Sequence, residues 1–394
     1  MQISNKYIVE AIVFFSYVLF AMAWVGGTAS MNQIMAAMHI DSLASASFIS
    51  GSVTLAKIVG TFSAAWLALK LGIKLAFLLA CGLITFGLFT PYAMNYEVLL
   101  LSRFMMGLGG AFMIVYFNPI VMHWFDAGHR PTVNGINAVA FNVGTAIILW
   151  SMSDFNELTG NWQTSLLVFS LASLVLGVVW LLVKFETPGA PATNANNSDN
   201  ESEAAASYSY ADGFKDKFNW AYAFTYSGLL AFYICLFTFY PKAGISESKW
   251  VIGFGIIGTI AGILYSKKFP KRIPVIRWSG LIMVITIIGL SFSENALVQS
   301  ISAIVLGFFI FFPVTALVTI PHELPQMTQQ KITVIFSLFW SSSYLLATVV
   351  LWGFGRMVDA NDGDYTASLI MITVLSSTFF IGSFFLPEPK EIKE

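Results

Sequence analysis

Charge is what this sequence has least of. Only 10% of its 394 residues are Asp, Glu, Lys or Arg, where an ordinary soluble domain carries about 25%, so a soluble enzyme is excluded. Cysteine is nearly absent: Cys81 and Cys235 lie in separate apolar stretches, which supports neither a disulfide framework nor a thiolate metal cluster and leaves both as small packing residues. The four histidines are scattered at loop-side positions. No cluster of His, Asp, Glu or Cys marks a catalytic face, so no cofactor or metal is expected. A net charge of −1 gives no reason to expect a nucleic-acid partner. Acid is scarcest inside the apolar stretches, where Glu10 alone of 21 acidic residues clearly lies. It is expected to snorkel or pair near the membrane surface, with Asp126 and Glu323, at the cytoplasmic ends of spans 4 and 10, as solvated loop charges in preference to gating residues.

What fills the sequence is apolar: 57% hydrophobic residues, with 36 Phe, 14 Tyr and 11 Trp. They form runs of roughly 18 to 25 residues, the length that spans a bilayer as helix. Twelve runs occur, near 8–31, 46–69, 73–92, 98–124, 132–152, 163–185, 219–240, 250–266, 275–292, 296–320, 332–354 and 366–386. They are continuous rather than alternating, which selects helices over a barrel. Ala21-Met22-Ala23 resembles a signal-peptide cleavage site, but Glu10 interrupts the apolar core and hydrophobicity continues past the cut, so the first run reads as a retained span.

Orientation follows from Lys and Arg, which favour cytoplasmic loops. With both termini inside, fifteen of these residues fall in cytoplasmic loops and three (Lys242, Lys249 and Arg356) on the opposite side, with Lys57 and Arg103 inside spans. Losing one early span would scramble that bias. The cell membrane is the expected location, the inner one in a Gram-negative cell, with a monomer in the bilayer.

One long polar stretch breaks the pattern. From Thr187 to Lys217 the chain is rich in Asn, Ser and Ala and reads as a flexible cytoplasmic linker, dividing a six-span bundle over 1–186 from a second over 218–394. Offsetting the chain by 200 residues sets Val98, Ser102 and Gly107 against Val298, Ser302 and Gly307, as two related halves would.

With this 6+6 plan the chain resembles the major facilitator superfamily over its whole length. Lys70, Gly72 and Lys74 match the family's G-x-x-x-D-R-x-G-R-R loop after span 2, whereas Ala65, Leu69 and Ile73 depart from it. The stretch Arg103 to Ala111, an arginine followed by Gly107, Gly109 and Gly110, looks like the family's span-4 motif. The resemblance implies an all-α fold of two six-helix bundles and transport by alternating access, with spans 1, 2, 4, 5, 7, 8, 10 and 11 lining a central cavity. Span 5 lacks the Gly-Pro motif of the cationic-drug pumps. Loosely, the chain is similar to the nitrate/nitrite and cyanate porters.

Lys57 carries most of the functional reading. About twelve residues from either end of span 2, it lies roughly 18 Å from each surface, too deep to snorkel, and an intramembrane lysine marks a functional site by default. Ser50, Thr54, Lys57 and Thr61 share one helical stripe, which predicts a wet, cavity-facing ammonium. Arg103 has two readings: a second site cation, or a residue that snorkels to the outer interface or ties helices together structurally. Other polar or aromatic faces come from Tyr17, Trp24 and Thr28 in span 1, Asn118 in span 4, and Asn134, Asn137 and Asn142 in span 5. Tyr222, Tyr226, Tyr233 and Tyr240 stripe span 7, Tyr240 as an interfacial residue, and Ser337, Trp340, Ser341, Tyr344 and Thr348 stripe span 11. The predicted substrate contacts are Lys57, Arg103, Thr54, Thr61, Trp24, Asn118, Asn137, Asn142, Tyr226, Tyr233, Trp340 and Tyr344. A midplane cation without a compensating carboxylate favours a small anion. One ammonium among many aromatics suits an organic carboxylate, moved with protons or exchanged for a counter-anion. Export of an anionic or amphipathic compound uses the same features, and a transporter-like sensor would be the alternative of another class.

Overall fold

The computed structural model describes residues 3–126, 128–185, 208–325 and 327–389. These residues are almost wholly helical. The first half comprises α1 (Lys6–Ala29), the short α2 (Met31–Met38) and α3 (Leu43–Ala46), then α4 (Phe48–Leu71), α5 (Ile73–Ile84), α6 (Tyr96–Trp124), α7 (Arg130–Thr159) and α8 (Trp162–Leu181). The second half comprises α9 (Tyr210–Lys215), α10 (Lys217–Phe239), α11 (Ser248–Lys268), α12 (Ile273–Phe292), α13 (Ala296–Phe311), α14 (Val314–Glu323), α15 (Gln329–Ala360), α16 (Thr366–Ser376) and α17 (Thr378–Gly382).

Among the described residues eleven helical segments are long and apolar enough to cross a membrane, and Thr366–Gly382 is a shorter apolar twelfth. Four of the twelve are interrupted. The second turns at Ser47, between α3 and α4. The third continues from α5 as a 3₁₀ stretch, Thr85–Tyr92, containing Pro91. The tenth breaks at Pro313, which has no N–H to continue the helical ladder, and the twelfth turns between α16 and α17. Asparagine caps recur: Asn5, Asn95, Asn161 and Asn295 each accept from the first turn of the helix that follows.

Close helix approach depends on glycine where the motif predicts it. A side chain on Gly107 of α6 would meet the Val53 backbone of α4 at 2.9 Å, so the absence of a Cβ sets that spacing.

The linker reads differently from the expectation. Residues 187–207 of the expected stretch lie outside the described residues, but 208–217 are not free chain. Ser209 and Asp212 form a capping box that starts α9, and Gly213 packs against Val334 and Leu338 of α15. Tyr240 is likewise corrected. It is fully buried, with its hydroxyl 2.8 Å from Ser291 Oγ, because α10 is the most enclosed of the long spans. Glu323 is not a solvated charge either. Its carboxylate accepts from the Arg272 guanidinium at 2.6 and 2.9 Å, which holds Arg272 even more firmly protonated than usual. Glu388 accepts from the backbone N–H groups of Arg272 and Ile273, tying the tail to the start of α12.

Both described chain ends sit on one side of the bundle. Ile3 pairs with the backbone after α8, and the Glu388 tie places the tail at the turn between α11 and α12. This is the terminal side, and the opposite face is the far side.

Candidate functional site

A cavity of about 370 Å³ lies between the two halves, bordered by α1, α4, α6 and α7 on one side and α10, α11, α13, α14 and α15 on the other. Its lining runs from Trp24 and Phe237, near the far-side ends of α1 and α10, to Asn118, Asn134 and Val318 nearer the terminal side.

The far side is closed by contacts between the halves. The Asp359 carboxylate, at the end of α15, accepts from Ser42 Oγ at 2.8 Å, Leu43 N–H at 2.8 Å and Ala44 N–H at 3.0 Å. It thus caps the first turn of α3 from the other half of the molecule. Deeper in, the Thr54 and Thr348 hydroxyls lie 2.6 Å apart. Trp150 and Trp250 meet edge to face at 5.7 Å, and Lys242 donates to Asn32. The cavity therefore faces the terminal side in this state.

Lys57 sits at the inner end of the cavity, 2% exposed. Its ammonium donates to Tyr17 Oη at 3.3 Å. Around it stand the rings of Phe20, Trp24 and Tyr344, each centred 5.3 Å away, with Tyr17 at 5.7 Å and Phe141 at 5.8 Å. Ring faces stabilise a desolvated cation, but they do not consume its N–H donors. Trp24 is fixed in this cage by its indole N–H, which donates to Ser50 Oγ at 2.9 Å. Among the described residues lining the cavity there is no Asp or Glu. The ammonium thus has one weak acceptor, no counter-charge and a void beside it.

Of the predicted contacts, nine line this cavity: Lys57, Trp24, Asn118, Asn137, Asn142, Tyr226, Tyr233, Trp340 and Tyr344. Tyr233 donates to Asn142 Oδ1 at 2.8 Å, joining the halves across the wall. Three predicted contacts lie elsewhere. Arg103 is buried against α1 and α4, where its guanidinium donates to the carbonyls of Ile49 and, at 2.8 Å, Trp24. That arrangement is the structural tie, and Gly27 makes room for it, since a Cβ there would collide with the guanidinium. Thr54 belongs to the far-side seal, and Thr61 returns its hydroxyl to the Lys57 carbonyl at 2.6 Å. Tyr222, from the same stripe as Tyr226, stacks on Phe218 and Phe339 and donates to the Leu317 carbonyl rather than reaching the cavity.

The aromatic partners Phe20, Phe117, Phe141 and Phe237 were not predicted, because one phenylalanine among 36 carries no signal without the packing. Glu10 departs most from expectation. It neither snorkels nor pairs: it is 8% exposed, and neither carboxylate oxygen has a hydrogen-bond partner. It lies on the inward face of α1, seven and fourteen residues before Tyr17 and Trp24 and hence on their stripe.

Comparison with known proteins places this geometry in context. The family model of the Major Facilitator Superfamily matches residues 13–348. An uncharacterized protein of Campylobacter jejuni is 27% identical over 316 residues, covering 76% of this chain and 95% of that one. The inward-open xylose transporter XylE of E. coli superposes with a TM-score of 0.75 at 13% identity, over 98% of each chain. A D-xylose-proton symporter gives 0.75 at 15% identity, over 98% of this chain and 99% of that one. At such identities the solved structures speak for the fold alone.

Proposed function

The chain belongs to the major facilitator superfamily and is a multi-pass membrane transporter of small molecules, and from that premise we propose that its substrate is a small organic anion, a carboxylate with an apolar or aromatic body. The observation that supports this reading is the Lys57 ammonium, caged by rings, with spare donors toward the cavity and no carboxylate in the lining. A substrate carboxylate would complete its hydrogen bonds and neutralise it, and a charge-assisted bond of this kind is among the stronger ones available in a dry site. Trp340, Tyr344, Tyr226 and Phe141 would face the substrate body, and the amides of Asn118, Asn134 and Asn137 its remaining polar atoms.

The loop charges support a cytoplasmic terminal side, which makes the present state inward-facing. Importing one negative charge against 100 mV costs about 2.3 kcal/mol, so accumulation is read as proton-coupled or driven by exchange for another anion. A second reading is favoured by the asparagine-rich wall: amides facing aromatic rings also suit a neutral polyhydroxylated solute, and both solved relatives are named for xylose.

The test is a thermal-shift screen of purified protein with benzoate, phenylacetate, lactate, nitrate and xylose, repeated on Lys57→Met. Stabilisation by an organic carboxylate that disappears in Lys57→Met is the expected result. Stabilisation by xylose alone, or by carboxylates equally in both proteins, would overturn the anion assignment.

A further inference from the structure

We propose that the far side carries a second anion site, a cavity between the halves in which Lys242 and Lys249 hold a small carboxylate outside the central cavity. The proposal goes beyond the substrate assignment and does not depend on Lys57. The outer cavity encloses about 280 Å³. Residues of α1 and α7 form one wall, and Thr238, Lys242, Ser248 and Lys249, around the turn from α10 to α11, form the other. Phe237 belongs to this cavity and to the central one. Its ring meets Trp24 edge to face at 5.9 Å, and Thr28 of the outer cavity lies one turn beyond Trp24, about 6 Å farther along α1. The two cavities are therefore in series, divided by an aromatic pair.

The charge of the outer cavity is one-sided. The sequence puts only Lys242, Lys249 and Arg356 on the far side, yet two of the three converge here. Among the described residues neither lysine forms an ion pair, and no Asp or Glu lines the cavity. The nearest acids in sequence are otherwise placed: Glu247 accepts from the Ser246 hydroxyl at 3.1 Å, and Asp154 is exposed on α7. Lys242 gives one N–H to Asn32, and an ammonium has three. Burial without a counter-charge lowers Lys242 to about 8. A neutral donor is free as well. Elsewhere on α10, Thr225 and Ser227 return their hydroxyls to carbonyls four residues back, whereas the Thr238 hydroxyl is buried with no hydrogen-bond partner. A buried orphan hydroxyl beside two ammonium groups is what an oxyanion satisfies. Trp150 and Met152 on the opposite wall suit an organic body. A carboxylate held here is concentrated at the sealed far mouth, one aromatic pair away from the Lys57 cage.

The test is reductive methylation by formaldehyde and cyanoborohydride on purified protein, mapped by mass spectrometry so that each lysine is read separately. Benzoate, compared with chloride at equal ionic strength, should slow modification of Lys242 and Lys249 by about threefold or more, because a bound anion covers the amines and holds them protonated. Lys70 and Lys74 on the terminal side should be unaffected. The same protection is expected in Lys57→Met, which separates this site from the central one. Lys242→Gln, with a monodisperse gel-filtration profile as the check on folding, should abolish the protection of Lys249. No protection in the wild type, protection that vanishes in Lys57→Met, or protection of Lys249 that survives Lys242→Gln would overturn the proposal. Stronger protection by inorganic phosphate than by benzoate would overturn the carboxylate assignment in favour of a phosphate or lipid-headgroup site.

Discussion

Arg103 and Lys57 stand on adjacent helices of the same half, each at most 2% exposed, and each is an intramembrane cation by sequence. Their surroundings differ in one respect. The Arg103 guanidinium donates to two main-chain carbonyls and is wedged where Gly27 leaves space, away from the cavity lining, so it ties the scaffold together and does not face a ligand. The Lys57 ammonium has a single hydroxyl at 3.3 Å and a ring cage, and a cavity lies alongside. Burial alone does not distinguish a site from a fastener. What distinguishes them is whether the buried group borders the cavity.

The contrast can be broken most easily at its structural end. Arg103→Ala should cost about 3 to 5 kcal/mol, as truncation of a large buried side chain does, and lower the melting temperature more than any other single change considered. Whatever folded protein remains should keep its ligand-induced stabilisation. Loss of that stabilisation at an unchanged melting temperature would return Arg103 to the substrate site. Asp359→Ala should have the next largest effect, about 1 to 3 kcal/mol from three lost hydrogen bonds to a charged acceptor. Here the energy is expressed as gating. The far mouth should open more often, read as a larger long-distance population between spin labels at Asp41→Cys and Glu294→Cys, on far-side loops of opposite halves, and an unchanged distribution would remove Asp359 from the seal.

Thr54→Val sharpens the same point on a smaller scale. Deleting a hydroxyl whose partner is Thr348 should cost about 0.5 to 1.5 kcal/mol and move the same distance distribution in the same direction, less far. Lys57→Met should have the smallest effect on folding and the largest on recognition. It exchanges an uncompensated ammonium for an apolar chain of similar length, so the melting temperature of the ligand-free protein should hold or rise while carboxylate-induced shifts vanish. A marked fall in stability would mean that the ring cage requires the charge.

The helical plan was legible in the sequence because the bilayer imposes a length and a polarity on every span. The interruptions were less so. Pro313 in α13–α14 could have been read as a break, but an apolar run long enough to cross hides it. The α10 stripe shows the limit of periodicity: Tyr226 and Tyr233 reach the cavity, while Tyr222 and Tyr240 on the same face meet Leu317 and Ser291 instead. A stripe fixes the direction of a side chain, and the depth along the helix decides what it meets. Thr54 shared the stripe of Lys57 yet serves the far-side seal for the same reason. Glu10 was misjudged because nearness to the helix end suggested solvent, whereas α1 is enclosed by α6, α7 and α8 along that face.

The arrangement of Gly27 against Arg103 also constrains how this lineage can change. Any side chain at position 27 would evict the guanidinium, and losing the guanidinium would leave a gap that only a side chain at 27 could refill. Neither step is tolerable first. Substitutions at the two positions should therefore appear together or not at all as homologous sequences diverge, an inheritance pattern that needs no assay to read.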